Sequence, residues 1–313
     1  MLQNLIIAFE AVAPMFLTIA VGYGIKKMGM LDSSSIKQIN KVLFKVLFPC
    51  LVFCSLYGES IEEAFDAKLI GYSMGIALLL WLLTIPFVMK IEKSNRSRGA
   101  MIQAINRSNF LVVGFPVVNN ICGNESSAAA AATIIGMLLL SNIMSVTVLE
   151  VFRGSKPNPI HILKEIFMNP IIIATMIGVI FMLLRLNLPY VIESTVLSLN
   201  RIATPLALLA MGASIDFKSV GKRKRNLLIC LTGKLVVVPG IVAFVGMILG
   251  FRGTAFVTLL AFFSAAPTTT SFTMADQMDS DSDLARDCVV FGSALVAFTM
   301  FCWIFIFKSL GIF

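Results

Sequence analysis

Long apolar runs ended by short charged or turn-forming breaks follow one another along nearly the whole chain. A helix needs about 20 mostly apolar residues to cross the hydrocarbon core of a bilayer. Runs of that length fall at residues 5–25, 36–57, 67–89, 98–122, 127–152, 166–186, 190–214, 225–250, 254–276 and 284–308. The ten-residue alternation of a membrane barrel strand is missing. Only a helix crosses lipid as a single unpaired element, so the pattern predicts an all-α membrane protein with ten transmembrane helices.

Composition agrees. Of 313 residues, 58% are hydrophobic and 13% charged, with a mean hydropathy of +0.91, whereas soluble domains hold roughly 45–50% apolar and 25% charged residues. The segments between spans are too short for a soluble domain. A net charge of +8 could suggest nucleic acid, but the basic residues sit in clusters between apolar runs and not along one face, so no nucleic-acid partner is expected. The six cysteines lie in or beside hydrophobic segments without metal-ligand spacing and read as small apolar side chains. The first run has no basic segment before it and exceeds a signal-peptide core, so it is expected to remain as a span.

Those clusters set an orientation. Connections one, three, five, seven and nine carry sixteen Lys and Arg, including Lys26, Lys90, Arg153 and Lys222, against Lys68, Arg185 and Arg252 in the even ones. By the positive-inside rule the odd connections are cytoplasmic and both termini extracytoplasmic. With five spans in each half, any similarity between halves is an inverted repeat. Arg98-Gly99 opens span four and Arg252-Gly253 opens span nine, each followed by a mid-run proline, Pro116 and Pro267. Asn40-Lys41 with Pro49 in span two matches Asn200-Arg201 with Pro205 in span seven.

Interrupted spans at corresponding positions of two inverted halves are a sequence pointer to a transporter's binding site. The first runs Asn106-Arg107-Ser108-Asn109 through Gly114-Phe115-Pro116 to Asn119-Asn120, and the helix is expected to part at Gly114 and Pro116. The second, Ser264-Ala265-Ala266-Pro267-Thr268-Thr269-Thr270-Ser271, puts four hydroxyls after its proline. Helix N-termini at such breaks favour anions. Asn109, Gly114, Pro116, Asn119, Asn120, Pro267, Thr268, Thr269 and Lys234 are therefore the candidate substrate-binding residues. Pro14, Pro49, Pro86 and Pro239 read as kinks in packed helices.

A charged side chain at a helix centre costs roughly 2.5–3.5 kcal/mol on insertion scales, which makes each one a functional candidate. Lys234 reads equally as an anion-attracting group or as the buried partner of a carbonyl or carboxylate. Arg107 reads equally as a substrate gate or a snorkelling side chain, and Asn142 as a link between helices. His161, the sole histidine, falls in a connection. With no H-E-x-x-H, G-x-S-x-G or P-loop, catalytic residues are not expected, and neither a cofactor nor a metal-ligand set is assigned.

At these residues the chain resembles the auxin efflux carrier family, part of the bile acid, arsenite and riboflavin transporter superfamily, whose members include plant auxin exporters and bacterial malate or malonate permeases. The likeness rests on Asn109 seven residues before Pro116 with Gly114 between, Asn169-Pro170, Pro205 to Gly212, Lys234 with Pro239, and Ala265-Ala266-Pro267-Thr268. Leu111 departs from the glycine common there. The resemblance implies two inverted five-helix repeats with broken helices 4 and 9 crossing at their prolines. It implies a scaffold domain of residues 1–57 and 163–216 (helices 1, 2, 6, 7) and a transport domain of residues 66–152 and 224–310. Asn109 would face a substrate carboxylate, and the scaffold would form a homodimer. The expected protein is a multi-pass secondary transporter of the cell membrane, moving a small organic anion, a mono- or dicarboxylate, by alternating access. A ligand sensor using the same site is the alternative. Related bile acid symporters couple to sodium; the residues here leave sodium and proton coupling both open.

Overall fold

The computed structural model describes residues 14, 17–54, 56, 57, 66–122, 127–153, 159–215 and 223–313. These form helices, and no strand occurs among them. Helix α1 covers residues 17–27. Helix α2 is Ser33–Val42, a widened turn Leu43–Leu47 and Phe48–Cys54. Helix α3 is Ala67–Ile91, α4 is Asn95–Asn106, and α5 is Phe110–Gly114 continued by Phe115–Cys122. Then come α6 (Ser127–Val151), α7 (Pro159–Met168), α8 (Pro170–Leu183) and α9 (Tyr190–Ala213). The chain continues with α10 (Lys224–Ile248), α11 (Gly253–Ser264), α12 (Thr270–Gln277) and α13 (Ser282–Ser309). Among the described residues five stretches are long and apolar enough to span a membrane by themselves: α3, residues Thr133–Val151 of α6, α9, α10 and α13. Shorter apolar helices, α8 and α11, accompany them. The expected span 166–186 is divided at Asn169, which ends α7 and caps α8.

Helix starts follow local chemistry. Asp32, Asp66, Asn169 and Asp281 stand before α2, α3, α8 and α13, and each side chain accepts from a free backbone N–H of the first turn. Pro170 fits the first helical position, where its missing N–H is no loss. The hydrogen bonds from Ser35 also hold the Asp32 carboxyl below its usual range.

Three mid-helix prolines share one solution. Proline cannot donate to the carbonyl four residues back, and its ring crowds that carbonyl. Before Pro49, Pro116 and Pro239 the backbone widens so that the preceding N–H reaches five residues back: Phe48 to Leu43, Phe115 to Phe110 and Val238 to Gly233. The helix thus passes its proline without ending. The carbonyl left over by Pro239 belongs to Leu235, and it accepts from Trp303 Nε1 at 3.0 Å.

Side chains pack into one large and several smaller apolar clusters. The large one draws on α3 to α6 and α10 to α13, from Leu69 through Trp81, Met101 and Phe152 to Leu227, Phe256 and Phe307. A second joins α2, α8 and α9 through Leu43, Phe48, Ile171 and Ala207, touching the rest at Val146, Leu149, Met274 and Met278. Outward faces remain apolar, with Leu83, Phe87, Met176, Phe244, Ile248 and Phe298 exposed. That much exposed oil is tolerable only in lipid.

Helices α1 and α9 approach closely through glycines. A Cβ at Gly22 would run into the Leu209 carbonyl and one at Gly212 into the Ile19 carbonyl; close backbone approach through small residues is how membrane helices associate. Gly212→Val should therefore destabilise the detergent-solubilised protein by about 3 kcal/mol, read as a lowered melting temperature. Gly71→Ala, in α3 with open space around it, should be neutral or slightly stabilising. Equal melting of the two variants would dissolve the close-packed contact.

Candidate functional site

Two helices are interrupted, and their interruptions touch. In the first, α4 ends at Asn106, Arg107 turns extended (ψ 129°), and Asn109 (ψ 61°) caps α5. The parting expected at Gly114 and Pro116 thus lies at Arg107–Asn109 instead. The widened turn Phe110–Gly114 absorbs the amide that Pro116 lacks, so the proline does not end the helix. The second interruption lies where the sequence puts it: α11 stops at Ser264, Ala265 is extended (ψ 147°), and α12 starts at Thr270, with Pro267 between.

The junction is a set of short contacts. Asn109 N–H donates to the Ala266 carbonyl at 2.8 Å, tying one break to the other. Gly114 lies against α11, where a Cβ would meet Phe262 Cδ1 at 2.9 Å and the Ala261 carbonyl at 3.1 Å. Pro267 abuts α13 at Gly292, where a Cβ would come within 2.7 Å of its Cδ. Lys234 is fully buried in the widened turn of α10 and donates to Ser108 Oγ and, at 3.1 Å, to the Phe263 carbonyl. That carbonyl is among the last four of α11, which have no partner within their own helix and carry its negative end. One ammonium thus braces both breaks.

Beside the junction is a cavity of about 230 Å³. Arg107, Ser108, Asn109 and Phe110 line it from the first break, and Thr268, Thr269 and Thr270 from the second. Leu138, Ser141 and Asn142 of α6 contribute, with Leu51, Val52 and Cys54 of α2 and Asn200 and Thr204 of α9 facing them. Of the sequence candidates, Asn109, Thr268 and Thr269 are on this wall. Gly114, Pro267 and Lys234 are not; they hold the junction behind it. The side chains of Pro116, Asn119 and Asn120 lie outside the described residues. Asn200, Thr204 and Ser141 were not singled out from the sequence. Their available signal was a polar residue within an apolar run, and in span seven the Asn200 and Pro205 pattern, read there only as a repeat.

The site's electrostatics are positive. Arg107 is 6% exposed and Lys234 0%, and among the described residues neither forms an ion pair with a carboxylate; the buried acids Glu150 and Asp287 pair with Arg153 and with Arg286 and Arg223. No cluster of His, Cys, Asp and Glu able to hold a metal occurs among the described residues.

Similarity to known proteins is consistent with this geometry. The sequence pattern described as Membrane transport protein matches residues 7–161 and 159–304, nearly the full chain. The chain belongs to this family, that of the auxin efflux carriers. Within it, the transporter is 25% identical over 303 residues to an uncharacterized transporter of Methanothermobacter thermautotrophicus, covering 94% of this chain and 96% of that one. It is 21% identical over 223 residues to an uncharacterized transporter of Methanocaldococcus jannaschii, covering 68% and 71%. Both names describe transporters and not enzymes.

If Lys234 braces the junction, Lys234→Met keeps the side-chain volume and leaves the Phe263 carbonyl and Ser108 short of a partner. A loss of about 1–3 kcal/mol is expected, measured as thermal unfolding in detergent. A methionine variant melting at or above the wild type would remove the brace.

Proposed function

We propose that this membrane transporter moves a small organic anion, a mono- or dicarboxylate, across the cell membrane by alternating access, binding it where the two interrupted helices meet. The observation that carries the reading is the cavity itself. Its walls come from both breaks on one side and from α2 and α9 on the other, and a buried guanidinium that meets no acidic partner among the described residues lies in it. Threonine hydroxyls and the Asn109 side chain add donors for an anion.

On this reading the protein crosses the membrane ten times, with α4 and α5 together as the fourth crossing and α11 and α12 as the ninth, crossing each other at the junction. Two inverted repeats result, with both termini extracytoplasmic. The division of the apolar side chains supports two bodies: a transport domain around the large cluster, and a scaffold of α1, α2, α8 and α9 that pairs with a second copy. Movement between them breaks specific bonds at the end assigned to the cytoplasm. Asn40 Nδ2 of α2 donates to Asp276 Oδ2 at 3.1 Å, and Arg286 Nη1 of α13 donates to the Ser214 carbonyl after α9 at 2.5 Å. Both contacts join the two bodies at that end, and on this reading opening towards the cytoplasm requires their release.

The test is counterflow in proteoliposomes loaded with a panel of radiolabelled mono- and dicarboxylates. Saturable, counterflow-stimulated flux of one of them is expected. Asn109→Ala should lower kcat/KM about tenfold or more, the effect of losing a hydrogen bond to a charged group, while leaving the melting temperature near that of the wild type. Unchanged kinetics would take Asn109 out of the site, and an anion that binds without flux would make the protein a sensor.

A further inference from the structure

Arg107 and Asn142 stand together on the cavity wall in an incomplete arrangement. A guanidinium carries five N–H donors. Among the described residues the acceptors it meets are Met274 Sδ and, at 3.0 Å, Asn142 Oδ1, neither of them charged. Thioether sulfur is a weak acceptor, and a cation removed from water without an anion beside it is unfavourable. Asn142 is 1% exposed. Its Oδ1 is taken by Arg107, and its Nδ2 finds no acceptor among the described residues. An unused amide donor adjoining an uncompensated guanidinium is the donor set that a carboxylate completes, through charge-assisted bonds stronger than neutral ones.

We infer that Arg107 and Asn142 hold the carboxylate of the transported anion, and that this anion is a small monocarboxylate. The inference rests on the transport reading above and narrows it. Arg107 brings the one cationic group on the described wall, since Lys234 is engaged behind it with Ser108 and Phe263. One carboxylate balances one guanidinium. On the described wall a second would meet uncharged serine and threonine hydroxyls and amides, or the apolar faces of Leu51, Val52 and Leu138, where an unpaired charge is disfavoured. The cavity is small, about 230 Å³. That is room for a short-chain acid whose uncharged tail rests on the apolar side.

The experiment is a thermal-shift and calorimetric titration of purified wild type, Arg107→Gln and Asn109→Ala with unbranched acids of three to six carbons. Their primary amides and the dicarboxylates of equal length are titrated alongside. Wild type is expected to bind a monocarboxylate more tightly than its amide and its dicarboxylate. Arg107→Gln, relieved of a buried unpaired cation, should melt no lower than wild type without ligand and should lose the preference for acid over amide by about tenfold or more. Asn109→Ala should weaken acid and amide together. A preserved acid-over-amide ratio in Arg107→Gln, or tightest binding by a dicarboxylate, would overturn this assignment while leaving an anion transporter in place. If no acid binds the wild type, the anion reading itself falls. Should Arg107→Gln melt far below wild type, the guanidinium is a structural tie and the assignment is likewise overturned.

Discussion

The hydrogen bond from Asn109 N–H to the Ala266 carbonyl is the constraint around which the rest is arranged. Inside a membrane no water is available to satisfy an interrupted backbone, so a broken helix survives only where protein completes its bonds or a wet cavity borders it. Backbone joins the two breaks on one side, Lys234 ties Ser108 to the end of α11, and a cavity borders both. Each break thus supplies partners to the other, and the helices are interrupted where they touch.

Packing follows from that meeting. For α5 to lie on α11 there must be no side chain at residue 114, and for Pro267 to sit against α13 there must be none at 292. The widened turns before Pro49, Pro116 and Pro239 re-aim three helices without ending them, and the carbonyl left by Pro239 is used by Trp303. Mid-run prolines therefore have more than one outcome here: Pro267 interrupts a helix, these three follow a turn lengthened by a residue, and Pro86 and Pro205 stand inside the continuous helices α3 and α9.

That division also explains what the sequence could and could not disclose. The helical, membrane-embedded character and the family follow from run length and from motifs such as Asn109 with Gly114 and Ala265 to Thr268, since both depend on residue type alone. The second interruption was legible because Pro267 has no N–H to give the Phe263 carbonyl, and no widened turn precedes it to take up the loss. The first was misplaced because proline and glycine are stronger signals by eye than Arg107, Ser108 and Asn109. A widened turn can neutralise a proline, and nothing in the letters reports whether it has. Lys234 was legible as important but not as to its side: a buried ammonium can face a ligand or a helix end, and only its bonds to Ser108 and Phe263 decide. Asn200 and Thr204 join the site through the folding of α9 against the breaks, a long-range event with no local signature.

The two buried cations also divide the labour. Lys234 has a hydroxyl and a helix-terminal carbonyl, acceptors the fold supplies permanently, so its charge is matched whatever occupies the cavity. Arg107 has a thioether and an amide, which leave its charge unmatched. A transporter needs a site that is stable while empty and yet gains on binding, because only a difference between its states can shift their populations. Placing the matched cation behind the junction and the unmatched one on the cavity wall separates those two requirements, and on the proposed reading it is Arg107 whose balance changes on binding.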